Sequence, residues 1–238
     1  MIQSLPVTIG MIAQEAGPTG YGLARALQSA GLPVTVAAPS RIPRPVSPTN
    51  KTDRLDGRKL AEFAASGLLR PIAIPSEHEE AFRSLVRRRH QLIDSLRRSK
   101  QRIRSLLLIN NIPEPENLDR WGKQSIALLY RLQTTPTIRQ TLNSHMRALA
   151  FFSAEQAQVD SQIHAQSITC GQQQCIKRLK IACGVGDVTA AIFAAELFHS
   201  TRFRRGEEVV SYPGLAPMVR ESGYKKDRGR LRSVGQKR

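Results

Sequence analysis

The chain has 238 residues, 40% of them hydrophobic, which is enough to bury the core of one large or two small domains. Its 36 lysines and arginines outnumber 19 aspartates and glutamates, and the net charge of +17 favours a polyanionic partner, nucleic acid before an anionic membrane surface. No apolar run approaches the roughly 20 residues that a membrane-spanning helix needs, so we expect no membrane partner.

The first part of the chain predicts an α/β unit. Residues 6–14 form a short apolar run typical of a strand, and residues 32–39 form a second one rich in β-branched side chains. Between them, residues 20–30 predict a helix that ends at Gly31, with apolar positions at Leu23, Ala26, Leu27 and Ala30. Strand, helix and strand at this spacing predict a right-handed parallel crossover.

Long helices are predicted for the middle of the chain. After the proline-rich residues 40–50, a helix runs from Asp53 to Ser66, and residues 68–76 return to extended chain. A long helix follows from Glu77 to about Asn110. Opposite its apolar face lie nine basic residues, which we expect to contact phosphate rather than only water: Arg83, Arg87, Arg88, Arg89, Arg97, Arg98, Lys100, Arg102 and Arg104.

A second helical region covers about residues 119–166, with an interruption at residues 134–137. Two long antiparallel helices of this kind predict a coiled-coil-like arm. Residues 177–197 then predict a helix, a glycine turn and another helix, followed by a short helix near residues 207–212 and a basic tail. We therefore predict three domains: an α/β domain at residues 1–76, the helical arm at 77–168 and a mainly α-helical C-terminal domain at 169–238.

Acidic residues near the first predicted strands could carry chemistry. Asp53 and Asp56 share a helix face, and two carboxylates so close repel unless a cation lies beside them. A bound Mg²⁺ is one answer, and an exposed helix start neutralised by neighbouring lysines and arginines is the other. Glu15 ends the first predicted strand, where α/β sheets display ligand-binding groups, and supplies a third carboxylate.

The C-terminal part holds two further candidates. CGVGDVTAAIFAAEL at residues 183–197 has the form of a helix–hairpin–helix turn, in which Gly184 and Gly186 would let backbone N–H groups approach a phosphate. A plain helix turn with two glycines is the alternative. Ser222 precedes a glycine in a predicted basic loop and is either a nucleophile on phosphate or an ordinary loop serine.

Several segments, taken in order, resemble one family. EAGPTGYGLARAL, VAAPSRIPR, KTDRLDGRKLA, LVRRRHQLIDSLRRSKQRIRSLLL, GVGDVTAAIFAAEL and YPGLAP with ESGYKKDRGRLRSVG occur as in the DEDD-type insertion-sequence transposases. The resemblance implies an RNase H-like (RuvC-like) N-terminal fold whose acidic residues bind Mg²⁺, and a C-terminal serine that attacks DNA and becomes linked to it. Glu15 matches the family's second acidic position, Asp53 and Asp56 match the third and fourth, and Ser222 matches the serine.

The resemblance also implies DNA as substrate, a structured guide RNA, a homo-oligomer (dimer or tetramer) and a bacterial cytoplasmic, nucleoid-associated location. The basic residues expected to contact nucleic acid lie in three places: beside the acids, on the long helix and in the tail. They are Lys51, Arg54, Arg87, Arg88, Arg97, Arg98, Arg102, Lys225, Lys226, Arg228 and Arg230.

One departure bears on activity. The family's first aspartate would stand on an opening strand before the EAGPTG segment, but no aspartate precedes Asp53 in this chain, and the C-terminus stops soon after RSVG. We therefore expect a nuclease fold that lacks its first strands, from a truncated copy or a mis-assigned start. A catalytically dead nucleic-acid-binding fragment is the alternative to an active transposase, and a Holliday-junction-type nuclease without a covalent intermediate is a third reading.

Overall fold

The computed structural model describes residues 8–42, 53–169, 171–198, 202–212, 217–222 and 225–231. For residues 53–54, 169, 217–222 and 225–231 it describes the backbone alone. The chain divides into two compact units, Met1–Glu80 and Ala81–Arg238. The division into three domains stays a prediction.

A parallel strand–helix–strand motif opens the first unit. Strands β1 (Ile12–Glu15) and β2 (Val34–Ala37) flank helix α1 (Gly22–Ser29) and pair in parallel from Ile12↔Val34 to Glu15↔Ala37. This pairing confirms the predicted parallel connection. The strands are shorter than predicted, because pairing begins where the Ile12 N–H donates to the Pro33 carbonyl at 2.8 Å, and the proline has no N–H to extend the ladder.

Helix α1 buries only part of the predicted face. Ala24 and Leu27 are buried, whereas Leu23 is 61% exposed. Arg25 lies on the buried side, where its Nη1 donates to the Pro75 carbonyl at 3.0 Å and to Glu80 Oε2 at 2.7 Å. These long-range contacts of Arg25 depend on residues 50 and 55 positions away, which local periodicity does not report.

Helix α2 (Asp53–Ala65) confirms the prediction for this segment. It ends at Gly67, whose φ of +67° suits a residue without a side chain, and the Leu68 N–H closes the end on the Phe63 carbonyl at 3.0 Å. The extended segment that follows lies beside β2, where Pro71 forms an antiparallel bridge with Ala37. Helix α2 packs against β1. The RNase H-like architecture itself stays a prediction.

Long helices build the second unit. Helix α3 spans Glu77–Ile109, a 3-10 turn spans Leu118–Arg120, α4 spans Lys123–Arg131 and α5 spans Pro136–Thr169. The bounds of α3 confirm the predicted long helix, and α5 begins at the predicted interruption. Its first residue is Pro136, where a proline costs no intrahelical hydrogen bond.

Helices α3 and α5 run in opposite directions, as predicted. Val86 near the start of α3 shares a buried core with Ile163 near the end of α5. Leu107 near the end of α3 shares a second core with Leu142 near the start of α5. A coiled-coil supercoil stays a prediction. None of the helices in the described part of the chain is long and apolar enough to span a membrane.

The C-terminal region contains helices α6 (Gln173–Leu179), α7 (Asp187–Leu197) and α8 (Gly206–Ser211), followed by strands β3 (Pro217–Ser222) and β4 (Lys225–Leu231). The helices confirm the predicted helix–turn–helix and the short helix after it. Alanines form the buried face of α7, which packs against α5 and α6. Small side chains of this kind let helix backbones approach closely.

The prediction of a loop and basic tail after residue 217 was wrong, because β3 and β4 form an antiparallel pair. Residues of opposite charge occupy paired positions in its register, with Glu221 opposite Lys226 and Arg220 opposite Asp227. Such cross-strand pairs stabilise a hairpin and outweigh the low strand propensity of a charged segment. The C-terminal region is therefore not purely helical.

Candidate functional site

Glu15 stands at the carboxyl end of β1, as the sequence predicted. It is the last residue of the parallel ladder, opposite Ala37, and its side chain is exposed. The ladder hydrogen bonding continues for one more residue, since the Ala16 N–H donates to the Ala37 carbonyl at 2.9 Å. The strand end therefore holds the glutamate on a fixed backbone while leaving its carboxylate open to a ligand.

Asp53 and Asp56 lie in the first turn of α2, the helix that packs against β1. The Asp56 side chain is half-buried, and the structure describes Asp53 by its backbone alone. Arg58, one of the neighbouring arginines that could neutralise an exposed helix start, donates to Glu62 Oε1 at 3.0 Å. The elements that carry the three acids thus lie side by side.

Convergence of the three carboxylates stays a prediction. Among residues whose side chains are described, no group of three or more histidines, cysteines, aspartates and glutamates is close enough to hold a metal ion. The Asp53 side chain lies outside that set. Of the basic residues expected beside the acids, Lys51 lies outside the described residues and Arg54 is described by its backbone alone.

Three arginines in the first half of α3 are held by internal partners. Arg83 is only 6% exposed, donates to the Ala195 carbonyl at 3.2 Å and stacks 4.1 Å from the centre of the Phe198 ring. Arg87 and Arg89 pair with carboxylates of α7 and α5, Glu196 at 3.6 Å and Asp160 at 2.5 Å. Acids distant in sequence thus neutralise part of the basic stripe, and its contact with phosphate stays a prediction.

Other cations of α3 remain open to solvent. Arg88, Arg98 and Arg102 are exposed, and no acid in the described part of the chain pairs with them. Arg97 forms an exposed bridge to Asp94 at 3.1 Å within the same helix. Exposed arginines without acidic partners are the residues best suited to contact phosphate oxygens.

The glycine turn before α7 contains a left-handed residue, since Gly184 has a φ of +83°. Gly186 is the residue before the helix, and the first helical residue is Asp187. A hydrogen bond and ion pair with Lys180 lowers the pKa of the Asp187 carboxyl below its ordinary value. A carboxylate thus occupies the helix start where we expected phosphate, with Lys180 beside it. Phosphate binding at this turn stays a prediction.

Ser222 is the last residue of β3 and pairs in register with Lys225 at the start of β4. The sequence placed it in a loop. Lys225, Lys226, Arg228 and Arg230 all lie on β4 rather than in an irregular tail. A sequence signal for this arrangement existed, because two residues beginning with glycine separate Ser222 from Lys225, a spacing typical of two-residue hairpins.

Comparisons with known proteins converge on one class. Residues 3–111 match a family model of the DEDD type described as "Transposase", and residues 176–238 match one described as "Transposase IS116/IS110/IS902 family". Among relatives, "Putative transposase y4qE" of Sinorhizobium fredii is 31% identical over 94% of this chain. "Transposase for insertion sequence element IS1533" of Leptospira borgpetersenii is 28% identical over 77% of it, and "Transposase for insertion sequence element IS1111A" of Coxiella burnetii is 23% identical over 91%.

Both ends of the chain therefore match transposases. The chain belongs to the DEDD-type insertion-sequence transposase family, that of IS110, IS116 and IS902, which confirms the family resemblance. It spans 54% of the length of the first two relatives and 59% of the third, a little over half in each case.

Proposed function

We propose that the chain acts in a DNA recombinase that cuts DNA at the ends of its insertion sequence and rejoins it to a target. Family membership at both ends of the chain carries this proposal. The net charge of +17 supports a polyanionic substrate, because lysines and arginines that neutralise phosphates release counterions. The proposed protein is bacterial and nucleoid-associated, and works as a dimer or tetramer.

The acids are proposed to hold Mg²⁺. Mg²⁺ takes hard oxygen ligands and commonly uses one or two carboxylates together with substrate phosphate, so Glu15, Asp53 and Asp56 are a chemically suitable donor set. The packing of α2 against β1 supports this assignment, since it brings the elements that carry all three residues together. When bound, the ion polarises a phosphate and stabilises the charge that develops on it.

Ser222 is the proposed nucleophile. Its hydroxyl oxygen attacks the phosphorus of the scissile phosphodiester and loses its proton, while the bond from phosphorus to the departing DNA oxygen breaks and that oxygen takes up a proton. A DNA hydroxyl then attacks the serine phosphodiester, which restores the serine and joins the strands. Because one phosphodiester replaces another at each step, the exchange needs no external energy source.

A structured guide RNA is the proposed second nucleic-acid partner, on the strength of the family resemblance. The exposed residues Arg88, Arg98 and Arg102 support a phosphate-contacting surface on α3 for RNA or DNA. Lys226, Arg228 and Arg230 on β4 provide a second basic segment close in sequence to Ser222. Positive charge near a nucleophilic serine would favour the approach of a phosphate and stabilise its transition state.

Trapping a covalent protein–DNA adduct tests the serine assignment. The purified chain is incubated with Mg²⁺, the element's RNA and labelled DNA carrying an element end, and adducts that survive denaturing gel electrophoresis are measured. We expect the wild-type chain to form the adduct and Ser222→Ala to abolish it. Ser211→Ala in α8 is the matched control and should form the adduct normally. An adduct from Ser222→Ala equal to that of wild type would show that another residue is the nucleophile.

Binding without chemistry is the second candidate function, favoured by the exposed cations of α3 that have no acidic partner among the described residues. A catalytically dead chain would bind RNA or DNA with a steep dependence on salt and form no adduct under any condition. Asp56→Asn separates the two functions. If the chain is an enzyme, this variant should lose adduct formation and keep most of its binding, and if the chain only binds, neither property changes.

A further inference from the structure

A cleft of about 390 Å³ opens on the second unit beside α3, within the size range of small-ligand sites. It contains Trp121, the only tryptophan of the chain. The rest of its lining is made of cations, amides and two aliphatic side chains: Arg97, Lys100, Arg104, Gln101, Gln156, Ile93 and Leu96. The lining thus combines apolar surface around an aromatic ring with hydrogen-bond donors and positive charge.

Trp121 adopts an unusual backbone conformation at this cleft. Its φ is +52°, in the left-handed region that bulky residues rarely occupy. The residue follows the 3-10 turn Leu118–Arg120, and its indole packs partly against the apolar core of the second unit. The turn therefore holds the ring in a fixed place at the cleft rather than leaving it free in solvent.

Lys100 lies over the indole. Its Nζ is 5.5 Å from the centre of the Trp121 ring, within the range of a cation–π contact. No carboxylate of the described residues pairs with this ammonium group. Its charge is thus available to an incoming anion, and the side chain is long enough to move from the ring face to a phosphate.

Arg97 and Arg104 flank the cleft in ion pairs open to solvent. Arg97 contacts Asp94 at 3.1 Å and Arg104 contacts Glu114 at 2.8 Å, with arginine side chains 76% and 41% exposed. Pairs of this kind contribute little to stability, and each guanidinium keeps further N–H donors for a phosphate.

An amide with a fixed orientation completes the cleft. The Gln156 Nε2 donates to Asp160 Oδ2 at 3.1 Å, which leaves the Gln156 carbonyl oxygen to accept a hydrogen bond from a ligand. Asp160 is itself held by Arg89. A base edge offers N–H donors at this position, whereas an aliphatic ligand does not.

We propose that this cleft binds an unpaired nucleotide, with its base stacked on Trp121 and its phosphate contacted by Lys100 and Arg97. Proteins recognise unpaired nucleotides by combining aromatic faces with nearby cations, whereas a duplex keeps its base faces stacked inside. The inference rests on the proposed function only for the presence of a nucleic-acid partner. RNA and single-stranded DNA share the chemistry required.

The intrinsic fluorescence of Trp121 reports directly on occupancy, since the chain has no other tryptophan. The chain is titrated with short oligouridylate, short oligothymidylate and a blunt DNA duplex of equal charge. We expect both single strands to quench the fluorescence and the duplex to leave it nearly unchanged. Tighter binding of oligouridylate would identify RNA as the source of the nucleotide, and tighter binding of oligothymidylate would identify DNA. Equal quenching by the duplex would overturn the proposal.

Variants separate stacking from general charge. Trp121→Ala should weaken oligonucleotide binding, measured by anisotropy, roughly 5- to 150-fold. Lys100→Gln keeps the tryptophan and the fold and should make the salt dependence of binding shallower by about 0.7 in the log–log slope. Arg147→Gln removes the same charge from an exposed position of α5 and is the matched control.

Wild-type affinity and salt slope in Lys100→Gln, measured by the same fluorescence titration, would overturn the proposal even if Trp121→Ala failed to fold. The test is independent of the serine chemistry. If oligonucleotides quench Trp121 but no adduct forms, the cleft proposal holds and the serine proposal fails. If the adduct forms but no quenching occurs, only the cleft proposal fails.

Discussion

Arginines near the start of α3 and arginines in its second half have different surroundings. Arg83 is 6% exposed and the Arg89 side chain 19%, each with a partner on another helix. In the second half, Arg98 and Arg102 are exposed and no acid among the described residues pairs with them. One helix thus contains arginines that hold the unit together and arginines that remain free to bind a ligand.

The difference follows from what packs against each half. The core near the start of α3 includes residues of α7 as well as α5, and these helices supply both a terminal carbonyl group and two carboxylates to the arginines. The core of the second half is formed by aliphatic and sulfur-containing side chains such as Leu107, Leu142 and Met146. It contains no carboxylate among the described residues.

Arg83→Ala should have the largest effect on folding. The change removes the side-chain donor from the Ala195 carbonyl and the guanidinium from Phe198, so we expect a loss of about 2–3 kcal/mol in the free energy of unfolding. Urea denaturation followed by circular dichroism measures it. Arg88→Ala, at an exposed position of the same helix, should change stability by less than about 0.5 kcal/mol. Equal stability of the two variants would contradict a structural role for Arg83.

The pair of Arg89 and Asp160 should show a smaller, measurable coupling. Both side chains are largely buried, with exposures of 19% and 27%, and Gln156 donates a further hydrogen bond to the aspartate. A double-mutant cycle with Arg89→Ala and Asp160→Ala should give a coupling energy of about 1–1.5 kcal/mol. Additive effects of the two substitutions on the free energy of unfolding would mean that the two side chains do not stabilise one another.

Local sequence signals predicted the helices well. The bounds of α2 and α3 follow from apolar periodicity and from Gly67, whose positive φ terminates α2. They also predicted Glu15 at the end of a strand and Asp53 at the start of a helix, because both depend on residues only a few positions away. These features were therefore readable without knowledge of the tertiary fold.

Signals that depend on distant residues were missed. Nothing near Arg83 or Arg89 in the sequence shows that Ala195 and Asp160 would reach them. The hairpin of β3 and β4 was not predicted because a highly charged segment is typical of a loop. Only the strand register shows that opposite charges pair across the two strands. A single aromatic residue in a turn has no periodic pattern, so the sequence did not mark Trp121 as a candidate. It becomes a ligand-binding candidate only because α3 brings Lys100 beside it in the fold.

Replacing Arg88, Arg98 and Arg102 together by glutamine sharpens the contrast within α3. Stability should change by no more than about 0.5 kcal/mol, because none of the three has an acidic partner among the described residues. The log–log salt slope of duplex DNA binding should become shallower by about 0.9 for each phosphate contact removed. The control removes three exposed cations from other helices, Lys123, Arg131 and Arg147. An equal loss of slope in the control would show that net charge, not this surface, drives binding.

Asp187 provides the smallest expected effect, because its bridge to Lys180 lies at the surface. The pKa of the Asp187 carboxyl is lowered by this hydrogen bond, so the folded state holds its proton less tightly than the unfolded state does. The stabilisation should be fully present above the ordinary pKa of 3.8 and should be lost as the pH falls through the lower pKa of the folded state. Thermal melts of wild type and Asp187→Asn should therefore differ slightly at neutral pH and converge in acid. A difference that grew as the pH fell would contradict the ion pair and indicate that the asparagine acts through the helix start instead.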